Sequence, residues 1–140
     1  MTTTPNDRNR EVIEEFRANG GNVGGAFAGA PVLLLTTTGA RSGRRHTIPL
    51  RYLPDGGRMI IFASNQGAPA SPDWYHNLVA HPHVCVEVGT ETVDVTALVV
   101  KGEERDRLYA TQAARHPVFA GYQQKTSRTI PVVALLRRQG

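Results

Sequence analysis

The order of apolar and polar residues along the chain predicts short strands joined by turns, with helices at three places. Apolar or β-branched runs predict six strands, over residues 32–38, 45–53, 59–63, 84–88, 91–100 and 129–137. Apolar residues at helical spacing predict helices over residues 6–19, 72–80 and 102–115. The pattern is typical of a mainly β fold, a six-stranded antiparallel barrel with about three peripheral helices, since closing a small sheet removes its exposed edges.

Turn signals separate these elements. Pro54-Asp55-Gly56-Gly57 predicts the turn before the third strand, which would close a meander, and Gly89-Thr90 predicts the turn of a hairpin. Ser71-Pro72 is typical of a helix start, with the serine as N-cap and the proline at the first helical position. The glycine-rich residues 20–29 offer few side chains for packing, and we expect them to cover the surface or approach a ligand.

The size of the chain indicates one core. With 140 residues, of which 40% are hydrophobic, we predict a single domain over residues 1–140, with residues 1–10 flexible. No apolar run approaches the roughly 20 residues that a membrane-spanning helix needs, and Met1–Gly20 lacks an apolar signal core. We therefore expect a soluble, cytoplasmic protein without a membrane span. The single cysteine, Cys85, excludes an internal disulfide and is interpreted as a small buried residue of a strand.

Positive charge is concentrated in one segment of the chain. The 16 basic and 12 acidic side chains give a net charge of +4, which favours nucleic acid, membrane headgroups or a phosphorylated small molecule as partner. Residues 36–58 contain a single acid, Asp55, and five arginines, which are Arg41, Arg44, Arg45, Arg51 and Arg58. A nucleic-acid-binding barrel needs exposed aromatic side chains, and only 6% of this chain is aromatic, so we expect no nucleic-acid partner.

Motifs of the common catalytic classes are absent from the sequence. It contains no P-loop, no dinucleotide fingerprint, no His-Glu-x-x-His and no Gly-x-Ser-x-Gly. Among the five histidines, His81 and His83 have no acid or cysteine at ligand spacing, so no metal site is predicted. The adjacent acids Glu103 and Glu104 lie at a predicted helix start, where the helix dipole favours acids in any case. They therefore give no support for catalysis by a pair of carboxylates.

Two stretches contain the residues that are candidates for binding a ligand. In residues 39–47, glycines allow a tight turn, and backbone N–H groups, hydroxyls and arginines can bind a phosphate or carboxylate. The alternative interpretation of this stretch is a solvated hairpin. Residues 63–75 are rich in small and amide residues and contain the only tryptophan, Trp74, so a flat ring could lie along them. For Trp74 the alternative is ordinary packing with Leu78 in an amphipathic helix.

In their order and spacing, these stretches resemble the deazaflavin (coenzyme F420)-dependent nitroreductase family of actinobacteria. The resemblance covers nearly everything after residue 10 and is carried by Pro31–Gly39, Arg41-Ser42-Gly43, Pro49-Leu50, Asp55-Gly56-Gly57, Ala63-Ser64, Pro72–Leu78 and Arg128–Val132. It implies a split β-barrel, related to flavin reductases and pyridoxamine-phosphate oxidases, that binds reduced F420 and passes a hydride to an organic acceptor. The anionic phosphate and glutamate tail of F420 would suit the basic turn, and its ring would suit the neutral stretch.

The resemblance also implies roles for single residues. Contacts to the phosphate and tail are expected from Arg41, Ser42, His46 and Thr47. The ring cradle is expected to comprise Ile48, Pro49, Leu50, Phe62, Ala63, Ser64 and Asn65, with Asp73, Trp74, Tyr75, His76 and Asn77 at its edge. Family members often have lysine where this chain has Asn65, and Arg44, Arg45 or Arg51 could supply the missing anion contact.

Residues 116–122 resemble the family segment that overhangs the acceptor, which implies substrate contacts for His116, Phe119 and Tyr122. Nitroimidazole-reducing members are richer in tyrosine in this segment. We therefore expect reduction of a conjugated carbon–carbon double bond in a lactone, enone or quinone in preference to efficient reduction of a nitro compound. The catalytic candidates for proton delivery are Tyr122, Ser64 and Tyr75, with solvent as a further source.

Three other functions stay open on the sequence alone, and one of them is a nucleic-acid-binding barrel, which would explain the positive charge. An FMN-dependent split-barrel oxidoreductase would share the fold and differ in cofactor, and a non-catalytic carrier would bind a cofactor without turnover. In the preferred hypothesis the partner is a small-molecule acceptor. The sequence leaves both a monomer and a homodimer open.

Overall fold

Seven strands and four helices make up the part of the chain that the computed structural model describes, residues 5–27 and 29–138. The strands are β1 (Val32–Thr38), β2 (Arg45–Arg51), β3 (Leu53–Asp55), β4 (Arg58–Phe62), β5 (His83–Val88), β6 (Glu91–Val100) and β7 (Val132–Arg137). The helices are α1 (Pro5–Ala18), α2 (Asp73–Ala80), α3 (Gly102–Arg115) and α4 (Val118–Lys125). Short 3-10 turns cover Gly25–Phe27 and Asn65–Gly67. The predicted mainly β class is confirmed.

The strands form one antiparallel sheet in the order β2-β1-β5-β6-β7-β4-β3. β2 and β3 are therefore the two edges of the sheet, although only Tyr52 separates them along the chain. In a flat sheet these edges would lie about 29 Å apart, at roughly 4.8 Å per strand. The two residue steps from Arg51 to Leu53 span at most about 7 Å. The sheet must therefore curl until its edges approach each other, which gives it a barrel-like shape.

The predicted six-stranded meander is wrong in its strand count and its order. The predicted strand over residues 45–53 is two strands, because residues 45–51 pair with β1 whereas residues 53–55 pair with β4. The Tyr52 N–H still donates to the Pro31 carbonyl at 3.1 Å, which extends the β1–β2 ladder by one residue before the chain turns to β4. β3 then pairs with β4, whereas β2 pairs with β1 at the opposite edge. The hairpins β1-β2 and β5-β6 are confirmed.

The helices differ from the prediction in number and in one cap. α4 is a fourth helix that the sequence pattern does not predict, since it is short and contains Gly121. α2 has Pro72 at its N-cap, whereas Ser71 accepts a hydrogen bond on its hydroxyl from Arg128 at 3.1 Å. Residues 5–10, expected to be flexible, form the first turns of α1, and residues 1–4 lie outside the described part.

Side chains on the two faces of the curled sheet pack in separate clusters. On β1, Leu33 and Leu35 point into the barrel, whereas Val32 and Leu34 point outward and pack with Phe16 of α1. β4 behaves in the same way, with its outward residues covered by α3 and α4. Both faces of these strands are therefore buried, which explains why each strand is a continuous apolar run in the sequence.

Cys85 faces away from the barrel interior, between the buried residues Val84 and Val86 of β5. It is half-buried, so the prediction of a small buried residue holds only in part at this position. Its partial burial raises the pKa of the thiol, which favours the neutral form.

Phe16→Ala tests whether α1 is docked on the sheet. The Phe16 side chain is 1% exposed, and its removal should lower the free energy of unfolding by about 3–5 kcal/mol. Urea denaturation followed by circular dichroism measures the change. Val79→Ala is the control, because Val79 is 55% exposed and should change stability by no more than about 0.5 kcal/mol. A loss below about 1 kcal/mol for Phe16→Ala would contradict the docked position of α1.

Candidate active site

The basic turn between β1 and β2, residues 39–44, is held by its own backbone. The Gly39 N–H donates to the Arg44 carbonyl at 2.7 Å, and the Gly43 N–H donates to the Gly39 carbonyl at 3.0 Å. The Ser42 hydroxyl accepts a hydrogen bond from the Arg44 N–H at 3.1 Å. A Cβ atom at Gly39 would collide with that hydroxyl, so any larger residue there would displace the Ser42 side chain from its hydrogen bond. The turn is compact, and its arginine side chains are exposed.

Asn77 of α2 fixes this turn to the sheet. Its side-chain oxygen accepts a hydrogen bond from the Ala40 N–H at 3.0 Å, and its amide nitrogen donates to the Thr37 hydroxyl at 3.1 Å. Asn77 is only 9% exposed, so both bonds are shielded from water. The predicted site residue Asn77 therefore has a clear local task, which is to position the turn.

A cavity of about 830 Å³, here called the basic cavity, opens beside the turn. Its lining comprises Thr37, Gly39, Ala40, Arg41, Ser42, His46, Ile48, Asp73, Trp74, His76 and Asn77. Eight of the residues predicted to bind the cofactor thus come together in one place. Within the described part of the chain, the Arg41 guanidinium makes no hydrogen bond or ion pair, and Asp73 is the only acid in the lining. The cavity is therefore suited to an anionic group.

A second cavity of about 450 Å³, the aromatic cavity, lies between the sheet and α4. It is lined by Phe27, Pro49, Leu50, Arg51, Phe62, Ser64, Gln66, Val118, Phe119 and Tyr122. The structure thus brings predicted ring-cradle residues together with predicted substrate residues from a distant part of the chain. Phe27, Gln66 and Val118 are additions that sequence reasoning missed, although the glycine-rich segment around Phe27 was expected to approach a ligand.

Strand β2 connects the two cavities. His46 and Ile48 line the basic cavity, and the next residues along the strand, Pro49 to Arg51, line the aromatic cavity. Successive side chains of a strand point to opposite faces, but β2 is an edge strand, so one elongated molecule lying along this edge of the sheet can reach both cavities.

The α4 wall of the aromatic cavity is anchored by rings. The Phe119 ring packs edge-on against Phe62 at 5.7 Å and against Tyr122 at 5.4 Å between centroids. The Tyr109 hydroxyl donates to the Phe119 carbonyl at 2.5 Å, and burial raises the pKa of Tyr109, which keeps it a neutral donor. Phe119 is only 8% exposed, so it combines a packing role with its place in the lining. Tyr122 is half-buried, and its hydroxyl has no hydrogen bond to any described residue.

The opposite wall contains a tight left-handed turn. Asn65, Gln66 and Gly67 all have positive φ, at 46°, 57° and 78°. A Cβ atom at Gly67 would lie 2.8 Å from the Tyr122 carbonyl oxygen, so only glycine allows this close approach of the turn to α4. The signal that could have identified Gly67 is a glycine in the short polar stretch between β4 and the prolines Pro69 and Pro72.

Five predicted site residues do not line the two cavities. Thr47 bonds its hydroxyl to that of Thr36 at 2.7 Å, and Ala63 is fully buried in the barrel core. Asn65 donates to the Ala70 carbonyl at 3.0 Å. The remaining two are Tyr75, which lines a separate cavity of about 280 Å³, and His116, at the junction of α3 and α4. Ser64 and Tyr122 are therefore the catalytic candidates that the structure brings together.

Charge around the aromatic cavity comes from Arg51. Its guanidinium lies 5.9 Å from the centroid of the Phe27 ring, within the range of a cation–π contact.

Among the described residues there is no group of three or more histidine, cysteine or acidic side chains that could hold a metal ion. None of the helices in this part of the chain is both long and apolar enough to cross a membrane.

Together these features define a class of protein. A barrel-like sheet in which one strand borders both a cavity suited to an anionic group and a more apolar cavity is compatible with an oxidoreductase that binds a flavin-like cofactor with an anionic arm. The chain belongs to the F420H(2)-dependent quinone reductase family, whose sequence model matches residues 8–137.

Individual relatives agree with this assignment. The chain is 42% identical over 127 residues to the F420H(2)-dependent quinone reductase Rv1261c of Mycobacterium tuberculosis, covering 88% of this chain and 85% of that protein. The solved structure of the F420-H2-dependent reductase FDR-A is 40% identical, with a TM-score of 0.68, covering 75% of this chain and 93% of that one. A solved domain-swapped dimer is 37% identical, with a TM-score of 0.71, covering 94% of this chain and 99% of that one.

These relationships confirm the predicted family, enzyme class and cofactor. The chain is an oxidoreductase that depends on coenzyme F420. This result decides against two of the alternatives left open by the sequence, an FMN-dependent enzyme and a non-catalytic carrier.

Arg41→Ala tests whether the basic cavity holds the anionic arm of F420. We predict a loss of about 1–3 kcal/mol in F420 binding, as expected when a charge-assisted hydrogen bond is removed. Fluorescence titration at low and high salt measures it, and salt should weaken binding by the wild type as well. Arg137→Ala is the control, because Arg137 is exposed and lies 3.6 Å from Glu91 on the sheet. Equal F420 affinity of Arg41→Ala and the wild type at low salt would show that the basic turn is not part of the F420 site.

Proposed function

We propose that the protein transfers a hydride from reduced F420 to a quinone, with the cofactor along β2 and the quinone under α4. The observation that carries this proposal is the passage of β2 from the basic cavity to the aromatic cavity. In this arrangement the phosphate and glutamate tail lie at Arg41, Ser42 and His46. The deazaflavin ring lies against Pro49 and Leu50.

The residues present fit such a cofactor. An arm with several negative charges needs cationic and N–H donors that are not already used, and Arg41 supplies an unpaired guanidinium within the described structure. A neutral tricyclic ring needs a flat apolar wall, which Pro49, Leu50 and Phe62 provide. Arg51 at the same cavity can hydrogen-bond to the polar edge of the ring.

Reduced F420 supplies a hydride, and reduction of a quinone to a hydroquinone consumes that hydride and one proton. The task of the protein is to place the acceptor at the ring, exclude water and deliver the proton. Phe119 and Phe62 provide an apolar surface against which a flat quinone can lie.

Tyr122 is the proposed proton donor. Tyr122 lines the aromatic cavity, and its hydroxyl is not engaged by another described residue, in contrast to that of Tyr109, which donates to the Phe119 carbonyl. Ser64 lies in the same cavity and can orient the acceptor oxygen through its hydroxyl. Tyr75 has no part in this proposal, because it lines the separate cavity beside α3.

Anaerobic oxidation of reduced F420 by a simple naphthoquinone, followed by absorbance, tests the proposed reaction. We expect turnover to the hydroquinone, with a slower reaction for a nitroimidazole. NADPH in place of reduced F420 should give no turnover, since the sequence has no dinucleotide fingerprint. Rapid oxidation of reduced F420 by nitroimidazoles, with none by quinones, would contradict the acceptor class.

Tyr122→Phe and Tyr75→Phe distinguish the two candidate tyrosines. Loss of the Tyr122 hydroxyl should lower kcat with a quinone by up to roughly a hundredfold, the usual contribution of a positioned general acid. Tyr75→Phe should leave kcat unchanged, because its ring lies outside the aromatic cavity. Melting temperatures of both variants check that the fold is intact. A fall in kcat for Tyr75→Phe alone would refute the assignment.

A further inference from the structure

Both walls of the aromatic cavity are attached to one short segment, residues 128–130, which precedes β7. One wall is the loop from Ala63 to Ser71, which carries Ser64 and Gln66. The other wall is α4, which carries Phe119 and Tyr122. These walls come from parts of the chain more than 45 residues apart, so their separation must be set by tertiary contacts.

The Arg128 side chain holds the loop at four points. Its Nη2 donates to the carbonyls of Ser64 at 2.9 Å and Ala63 at 3.3 Å. Its Nε donates to the Ala68 carbonyl at 2.9 Å, and its Nη1 donates to the Ser71 hydroxyl at 3.1 Å. The planar fork of an arginine suits such a set of divergent acceptors, whereas a lysine offers a single point of attachment.

All four acceptors of Arg128 are neutral. Within the described part of the chain Arg128 has no carboxylate partner, although it is half-buried and its charge is costly to desolvate. An arginine placed for its charge would be expected to have an acid beside it. The bonds to backbone carbonyls indicate that its role here is to hold the shape of the loop.

The same segment holds α4 through Gln123, the residue after Tyr122. The Gln123 side-chain amide donates to the Arg128 carbonyl at 2.7 Å. Its oxygen accepts from the Ile130 N–H at 3.1 Å and from the Arg105 guanidinium at 2.7 Å. α4 is therefore fixed to the backbone of the residue whose side chain fixes the opposite wall.

We propose that Arg128 is a positioning residue for hydride transfer, which sets the width of the aromatic cavity by tying the Ala63–Ser71 loop to α4. The proposal rests on the proposed function, since it places the acceptor in this cavity. Where the loop meets the helix, Gly67 leaves no room for a Cβ atom against the Tyr122 backbone. A shift of the loop therefore moves Ser64 relative to Tyr122, and reacting groups tolerate little displacement.

The variant Arg128→Lys tests the proposal, with Arg17→Lys as a matched control. Arg17 makes a forked pair with Glu87, at 3.0 Å and 2.8 Å, and lines neither cavity. The number of F420-binding sites is titrated by fluorescence, and turnover with a naphthoquinone is expressed per bound F420. For Arg128→Lys we expect F420 affinity within about twofold of the wild type and turnover per site lower by roughly tenfold to a hundredfold. Arg17→Lys should match the wild type in both.

Hydrogen–deuterium exchange gives a readout that does not depend on turnover. In Arg128→Lys the amides of the Ala63–Ser71 loop and of α4 should both exchange faster, while those of the basic turn stay unchanged. Unchanged turnover per bound F420, with fewer sites or a lower melting temperature, would show a merely structural role and overturn the proposal. Faster exchange in the Ala63–Ser71 loop without faster exchange in α4 would show that the two walls are not coupled, and it would also overturn the proposal.

A milder variant keeps the proposal testable if Arg128→Lys does not fold. Ser71→Ala removes one of the four acceptors, and turnover per bound F420 should fall about threefold to tenfold, whereas an unchanged value would overturn the proposal. Failure of the wild type to reduce quinones would refute the proposed function. Normal quinone reduction by the wild type and equal turnover per site by the variant would refute only the role of Arg128.

Discussion

The link of one residue between β2 and β3 is the constraint on which the rest of the structure depends. The two strands are opposite edges of a seven-stranded sheet, so Tyr52 can join them only if the sheet curls. Curling gives the sheet an inner face for one apolar cluster and an outer face that α1, α3 and α4 cover. It also places Pro49 of β2 and Phe62 of β4 in the same cavity, although four strands lie between them in the sheet order.

Polar side chains around the site fall into two groups. The first group, Asn77, Tyr109 and Arg128, forms hydrogen bonds with the protein backbone or with neighbouring side chains. Each of these residues fixes either the basic turn or a wall of the aromatic cavity. Arg41 and Tyr122 line the cavities with their polar groups unengaged by other described residues. The first group makes the site rigid without needing a ligand, and the second group is available to bind one, which is the preorganisation that hydride transfer requires.

Most of the elements could be predicted from local pattern, because apolar periodicity and glycine turns act over a few residues. β1, the hairpin of β5 and β6, and helix α3 lie where the pattern placed them. The split of residues 45–53 at Tyr52 could not be predicted, because it depends on which strands residues 45–51 and 53–55 pair with, and both partners are distant in the sequence from part of this segment. α4 was missed for a similar reason: its stability comes from Phe119 packing on Phe62 and Tyr109, and its own sequence is only weakly amphipathic.

The sequence by itself determined the basic turn, since its residues are neighbours in the chain, and it determined the family and the cofactor through a resemblance in the order and spacing of motifs from Pro31 to Val132. Only the tertiary structure decided which candidates share a cavity. It brought Ser64 to Tyr122 and placed Tyr75 elsewhere, although Tyr75 and Trp74 are adjacent in the sequence. The physical reason is that adjacent helical residues point about 100° apart, whereas the curl of the sheet and the hydrogen bonds of Arg128 bring distant residues together.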